Sequence, residues 1–270
     1  MNGCDGRHRS APVSRFANMS GSSTFIERPS GCGVAIRHLV ETTSTNAEAR
    51  SWMLAGASDG SVVVADHQTA GRGRFARTWE SAPGQNLLLT VILRRSLPRP
   101  AHLPLAIGWA VREAVASLVP GATIHLKWPN DVRIEGRKLA GILVESPEEG
   151  VFLAGIGLNV NQDTFVSSIA GEPTSLLLES GQRVDRAEVF EHLMHALDCA
   201  MDLMERDSLL DAYRLHLEGV SQPVRLQDGR SGILVGLDES GGLIVRTDIG
   251  TIVVHSGDVS LRPSRNQDEA

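Results

Sequence analysis

The apolar positions of the chain recur with a helical period in three segments. This period predicts helices over residues 46–54, 103–118 and 185–206. The apolar stripe of the last helix consists of Val189, Leu193, Leu197, Met201 and Met204. At the first helix, Thr45 and Glu48 have the spacing of a capping box and Gly56 is a stop signal.

Shorter apolar runs, many bounded by turn residues, predict strands. In the first 220 residues these strands cover residues 61–66, 86–93, 124–128, 132–135, 138–145 and 151–160. After Gly219, short alternating segments separated by glycine turns cover residues 223–227, 233–237, 243–247 and 251–255. Closely spaced strands of this kind are typical of a small barrel. The pattern therefore predicts an α+β fold followed by a small β unit.

The start of the chain has a different composition. Residues 1–33 are rich in Gly, Ser, Arg and Pro and contain few apolar positions, which predicts a disordered leader. We therefore expect a leader over residues 1–33, a main domain over 34–220, a small domain over 221–265 and a tail over 266–270.

Charge and cysteine content exclude several classes of function. The net charge of −6 argues against a nucleic-acid-binding surface, which is normally basic. Cys4, Cys32 and Cys199 lack metal-ligand spacing, which favours free thiols in a reducing cytoplasm. No apolar run reaches the roughly 20 residues needed to cross a bilayer. We expect neither a nucleic acid nor a membrane as partner.

Residues 71–79, with the sequence GRGRFARTW, combine three arginines, two glycines and a tryptophan. Glycines let backbone N–H groups approach a ligand, arginines match carboxylate and phosphate oxygens, and an indole offers a flat face to a base. A dinucleotide fingerprint is not favoured, because Pro83 and Gly84 interrupt any following helix, and no P-loop motif is present. A solvated basic turn is the alternative reading of this segment taken alone.

Other segments carry polar groups that belong with this loop. They are the STN sequence at residues 44–46, KWPND at 127–131, KLAGIL at 138–143 and GLN at 157–159. The turn at Gly136 and Arg137 predicts a hairpin with Lys138 at its mouth. The small residues Gly155 and Gly157 predict a strand that a ligand or another backbone approaches closely.

In their order and spacing, these segments, including Arg77 and Trp79, resemble the signature of biotin protein ligases over roughly residues 34–265. The resemblance implies a mixed-sheet catalytic domain similar to class II aminoacyl-tRNA synthetases and to biotin and lipoate ligases, with an SH3-like β-barrel at the C-terminus. Some members carry an N-terminal winged helix-turn-helix of about 60 residues, for which the leader has no room. The resemblance is therefore to the monofunctional class.

The resemblance also implies a reaction and the residues that perform it. Biotin and ATP form biotinyl-5′-AMP, and the biotinyl group then passes to a lysine of a biotin carboxyl carrier protein. Lys138 and Arg74 correspond to the catalytic cations. The biotin-binding residues would be Ser44, Thr45, Asn46, Gln68, Gly71, Arg72, Arg74, Lys138, Gly141 and Leu143. The ATP-binding residues would be Arg72, Arg74, Arg77, Trp79, Lys127, Asn130, Lys138 and Asn159.

Mg²⁺ is expected with ATP, and Asp131 is the nearest carboxylate in a motif, although the sequence does not identify the metal ligands. The sequence also leaves monomer and homodimer open. Ala76 and Phe75 depart from the family pattern, where glycine and a basic residue are common, so loop closure is expected to differ. The alternatives are a lipoate-protein ligase and a non-enzymatic biotin sensor, and the presence of Lys138 argues against the sensor.

Overall fold

The computed structural model describes residues 25–165, 172–257 and 259–260. The predictions for residues 1–24, for the end of the small domain at 261–265 and for the tail at 266–270 lie outside the described residues. None of the helices in the described part of the chain combines the length and apolarity needed to span a bilayer.

A seven-stranded sheet forms the body of the main domain, with the strand order β1-β2-β3-β7-β6-β5-β4. Its strands are β1 (Ile36–Thr42), β2 (Val62–Gln68), β3 (Leu87–Arg94), β4 (Ile124–Lys127), β5 (Asp131–Ile134), β6 (Arg137–Glu148) and β7 (Val151–Leu158). The pair β1 and β2 is parallel, and the other neighbours are antiparallel, so the sheet is mixed. The α+β class is thereby confirmed.

Helices cover both faces of this sheet. They are α1 (Thr45–Leu54), α2 (Leu103–Ala116), α3 (Leu176–Ser180), α4 (Arg186–Glu205) and α5 (Leu209–Arg214). Side chains of β2 alternate between the two faces: Val62 and Val64 join the large core beneath α2 and α4, whereas Val63 packs with α1. Because both faces are covered, the central strands consist of nearly continuous apolar residues.

A second sheet of five strands follows, in the order β11-β10-β9-β8-β12. Its strands are β8 (Pro223–Leu226), β9 (Ser231–Leu237), β10 (Leu243–Thr247), β11 (Gly250–Val254) and β12 (Val259–Ser260). The indole Nε1 of Trp128 donates to the carbonyl oxygen of Gly241 at 2.9 Å. Since Leu237 and Leu243 also belong to the large core, the small sheet is packed against the main domain.

The observed elements agree with the predicted ones within a few residues at each end, but some were missed. The sequence pattern did not identify β1, α3, α5 or β12. Strand β1 lies at the sheet edge, and all but one of its residues are exposed or half-buried, so its sequence lacks the apolar run on which strand prediction depends. The helices α3 and α5 have five and six residues, which is too short for a clear period.

The predicted capping box at the start of α1 is wrong. Ser44 is the N-cap residue, and its side chain makes no capping hydrogen bond. The Thr45 hydroxyl instead donates to Oε1 of Gln68 at 3.0 Å, and Glu48 accepts from the Thr42 hydroxyl. Side chains of β1 and β2 therefore bind the Thr45 hydroxyl and the Glu48 carboxylate, which a capping box would have bonded to backbone N–H groups.

The last part of the predicted leader is also structured. Phe25 packs edge-on against Phe190 of α4, and Arg28 forms an ion pair of 2.6 Å with Asp198. Cys32 is buried, and burial, together with the neighbouring Asp198 carboxylate, raises the pKa of its thiol to about 12. Residues 25–33 thus depart from the prediction because they bind the side of α4.

Candidate functional site

A cavity of about 950 Å³ lies between β6 and β7, the loop of residues 71–79, the turn after β4 and the small sheet. Its wall contains every residue predicted for the site except Gly71. These residues are Ser44, Thr45, Asn46, Gln68, Arg72, Arg74, Arg77, Trp79, Lys127, Asn130, Lys138, Gly141, Leu143 and Asn159. The fold therefore brings together groups from five separate parts of the chain.

Gly71 has a different position, at the base of the arginine loop. Its carbonyl oxygen accepts from the backbone N–H of Trp79 at 2.9 Å, which closes the loop. A Cβ atom at Gly71 would lie 2.5 Å from the Trp79 carbonyl oxygen, so a larger residue would force the two strands of the loop apart. The absence of a side chain at Gly71 is thus needed for loop closure.

The tip of the loop has a left-handed backbone at two residues that are not glycine. Phe75 has φ 54° and Ala76 has φ 58°, a conformation that costs roughly 1–2 kcal/mol per non-glycine residue. The sequence led us to expect less freedom for a positive φ at Ala76, yet the loop adopts one there. The backbone bond from Gly73 N–H to the Arg77 carbonyl, at 2.7 Å, holds this turn.

Trp79 fills the space that two glycines leave on the sheet. A Cβ atom would lie 2.5 Å from the indole ring at Gly157 and 2.9 Å from it at Gly141. The sequence predicted a close approach at Gly157 by a ligand or a backbone, but a side chain occupies that space. The ammonium of Lys138 lies 5.7 Å from the ring centroid, within cation–π range.

Lys138 and Asp131 form an ion pair on the cavity wall. Nζ of Lys138 lies 2.9 Å from Oδ1 of Asp131, with the two side chains 24% and 18% exposed. The hairpin of β5 and β6 places both groups, because these strands are paired in an antiparallel register. The predicted hairpin is present with Lys138 just beyond its turn, but the turn is formed by Glu135 and Gly136, and Arg137 already belongs to β6.

Arg74 reaches from the loop to the KWPND turn. Its Nη1 donates to Oδ1 of Asn130 at 3.0 Å, and the Asn130 amide donates to the carbonyl of Ile142 at 3.0 Å. Asn130 therefore links the arginine loop to β6. Asn159 is buried, and its amide donates to the Thr174 carbonyl at 2.9 Å.

A continuous polar network lies at the other end of the cavity. Gln68 Oε1 accepts from both the backbone N–H and the hydroxyl of Thr45. The hydroxyl of Thr90 lies 2.8 Å from Thr45 Oγ1 and 2.6 Å from Asn46 Oδ1. The Asn46 amide donates to Glu145 at 3.1 Å. Thr90 and Glu145 were missed, because neither belongs to a motif and each lies in a strand that reads as apolar.

Positive charge is concentrated at the cavity. The cationic residues among the described lining residues are Arg72, Arg74, Arg77, Lys127, Arg133, Lys138 and Arg225, whereas the acidic ones are Glu80 and Asp131. In a chain of net charge −6, such a cluster attracts anions. Arg133 and Arg225 were also missed, and Arg225 belongs to the small sheet, which therefore contributes to the cavity.

Comparison with known families identifies two matching segments. The biotin/lipoate A/B protein ligase family matches residues 38–163. The biotin protein ligase C terminal domain matches residues 222–262. The two matches correspond to the mixed sheet with its cavity and to the small sheet.

Individual relatives agree with this result. A biotin–acetyl-CoA-carboxylase ligase of Mycobacterium tuberculosis is 37% identical over 244 residues, covering 85% of this chain and 91% of the relative. A bifunctional ligase/repressor of Bacillus spizizenii is 34% identical over 234 residues, covering 81% of this chain and 71% of the relative. Among solved structures, the Aquifex aeolicus biotin protein ligase in complex with biotin and ATP has a TM-score of 0.76 and 31% identity, covering 85% of this chain and 99% of that one.

Proposed function

The chain belongs to the biotin protein ligase family, and we propose from this premise that its cavity activates biotin with ATP and transfers the biotinyl group to a carrier lysine. One observation carries the proposal: seven cationic side chains surround a cavity that also has an uncharged, hydrogen-bonding end. The first reaction joins a carboxylate to a phosphate, and both anions must be neutralised before they can approach. The second reaction needs an open mouth through which a protein lysine can enter.

In the activation step, a biotin carboxylate oxygen attacks the α-phosphorus of ATP and pyrophosphate leaves. We assign Lys138 to the neutralisation of both reacting groups, supported by its fixed place between Asp131 and Trp79. Arg74 is assigned to neutralise the same two anionic groups, and its hydrogen bond to Asn130 supports a role in holding the loop over the adenylate. In the transfer step, the neutral amine of the carrier lysine attacks the biotinyl carbonyl, the bond from that carbonyl to the phosphate oxygen breaks, and AMP and a proton are released.

The uncharged end of the cavity suits the ureido head of biotin, which has two donors and one acceptor. Thr45, Gln68 and Asn46 offer such groups on the wall, and the network behind them holds their orientation. Hydrogen-bonding partners that are already aligned reduce the entropy lost on binding. We therefore place the ureido head here, with Ser44, Gly141 and Leu143 nearby.

The nucleotide end is assigned to residues on the loop and around the mouth. Trp79 offers a ring face, and Arg77 and Lys127 are cations on the wall. Arg72 is predicted for both ligands, and it pairs with Glu145, which also accepts from Asn46. Asn159 remains a predicted ATP contact, although its amide donates to Thr174. The small sheet, which we propose to be SH3-like, adds Arg225 to this end.

Mg²⁺ fits this site as a companion of ATP. The described residues contain no group of three potential metal-binding side chains. Mg²⁺ with a nucleotide is usually held by phosphates, water and one or two carboxylates, and Asp131 can supply one carboxylate. The ion would neutralise phosphate charge, while Asp131 is also engaged with Lys138.

The names of the relatives support a carboxylase carrier domain as the protein substrate. We propose a cytoplasmic location, where a thiol such as Cys199 would remain reduced. A lipoate-protein ligase is not favoured, since the Mycobacterium tuberculosis relative and the Aquifex aeolicus structure are both named as biotin ligases.

The decisive experiment incubates the purified protein with a biotin carrier domain, Mg²⁺, ATP and either biotin or lipoate. We expect biotin-dependent pyrophosphate release and a mass increase of the carrier at one lysine. Carrier whose target lysine is replaced by arginine is the matched control. Labelling of the carrier with lipoate but not with biotin, or no labelling with biotin, would contradict the proposal.

A further inference from the structure

The carboxylate of Glu145 connects two predicted biotin-binding residues from behind the cavity wall. Glu145 lies on β6, two residues beyond Leu143, and is not among the residues that line the cavity. Its Oε1 lies 3.2 Å from Nη2 of Arg72, and its Oε2 accepts from Nδ2 of Asn46 at 3.1 Å. The Arg72 side chain is 52% exposed, whereas that of Glu145 is 23% exposed. The carboxylate is thus a fixed anchor for a longer, more exposed side chain.

The bond to Glu145 also sets the direction of the Asn46 amide. A carboxylate only accepts hydrogen bonds, so the NH₂ end of the amide must face it. Oδ1 then faces Thr90, whose hydroxyl donates to it at 2.6 Å. A Cβ atom at Gly155 would lie 2.3 Å from this oxygen, so the amide is packed directly on β7. The donor end of Asn46 therefore depends on Glu145, while Thr90 holds its acceptor end.

We propose that Glu145 is a positioning residue for biotin binding, which holds the guanidinium of Arg72 at the cavity and orients the Asn46 amide. This inference rests on the proposed function. Without the carboxylate, Arg72 regains rotamer freedom that biotin binding must remove again. The effect falls on ground-state binding, because neither contact involves the reacting atoms. The Kd and KM for biotin therefore rise and kcat does not; any rise in the KM for ATP comes from Arg72, which is also a predicted ATP-binding residue.

The test compares Glu145→Gln with the wild-type full-length protein by calorimetric biotin titration without ATP. We expect the Kd to rise about tenfold, because glutamine has no charge and a single acceptor oxygen, so both contacts lose their charge assistance and at most one neutral hydrogen bond remains. The KM for biotin in pyrophosphate release should rise by the same factor, with kcat within about twofold of wild type. The matched control is Glu148→Gln, which removes an exposed carboxylate from the same strand and should bind biotin like wild type.

Two further variants separate positioning from a general structural effect. If Glu145 acts through Arg72, the two substitutions should not have independent effects. The rise in the Kd of the double variant Glu145→Gln, Arg72→Gln should then be smaller than the product of the rises in the two single variants. Glu145→Asp keeps the charge and should restore part of the affinity. An unchanged Kd for biotin in Glu145→Gln would overturn the inference. A rise in the Kd of the double variant equal to the product of the two single rises would overturn it as well. Absence of biotin-dependent pyrophosphate release by the wild-type protein would count against the proposed function instead, while the binding data would still test Glu145.

Discussion

Replacing Lys138 with alanine should remove most of the activation rate and leave the fold intact. The backbone of Lys138 is held independently of its side chain, since its N–H donates to the Glu172 carbonyl at 2.9 Å and its carbonyl accepts from Thr174 N–H at 2.8 Å. The side chain contributes an ion pair with Asp131 and a contact with Trp79. The ion pair is partly exposed, so its loss should cost about 1 kcal/mol of stability or less.

The effect on the reaction is expected to be much larger. A unit charge about 4 Å from a reacting anion contributes roughly 4 kcal/mol at an effective dielectric constant near 20, which corresponds to about a thousandfold in rate. The side chain is 24% exposed, so solvent screening reduces this value. We expect adenylate formation to slow by about 10²-fold to 10³-fold.

Single-turnover measurement of biotin-dependent pyrophosphate release tests this expectation, with circular dichroism to verify folding. The control is Arg246→Gln, which removes a positive charge from an exposed position on the small sheet outside the cavity wall. If folded Lys138→Ala keeps more than about a third of the wild-type rate, the charge argument fails. Equal loss in the control would show that net charge, and not position, matters.

Three other outcomes follow from the structure. Gly157→Ala should displace the Trp79 ring and weaken ATP binding, so that the KM for ATP rises about tenfold. The control is Gly108→Ala, whose added Cβ atom would meet no atom closer than 3.9 Å, and it should leave the KM for ATP unchanged. Burial lowers the pKa of His102 in the folded protein, so the unfolded chain binds more protons than the folded one as the pH falls through about 6.5. The melting temperature should therefore drop in this pH range, and it should drop less steeply in His102→Gln. The chain has only two lysines, and both lie on the cavity wall. After incubation with biotin and ATP in the absence of carrier, intact-mass analysis should show no biotin on either lysine. A biotin adduct on one of them would contradict their assignment as bound cations.

Sequence reasoning predicted the elements whose pattern is long or strongly apolar. The stripe of α4 is an example: Val189, Leu193, Leu197 and Met201 are buried as the period predicted, because one helix face meets the core. It failed where the sequence pattern was short or polar, as in the edge strand β1. It also failed at Thr45, because a capping motif depends on local spacing while the hydroxyl found a partner in Gln68.

For the site, the motifs predicted which residues meet at the cavity but not how they are held. No local pattern connects Glu145 to Arg72 and Asn46, which are 73 and 99 residues away along the chain. The same is true of Arg225, which reaches the wall only because the small sheet packs against the main domain.

By itself, the amino-acid sequence determined the central helices and strands, the glycine turns and the set of charged motif residues, because these depend on neighbours within a few positions. The tertiary structure alone decided that Trp79 lies over Gly157, that Phe75 and Ala76 adopt a positive φ, and that Glu145 stands behind the wall. Such contacts depend on the order and register of strands in the sheet, which bring distant side chains within hydrogen-bond distance and which no local period encodes.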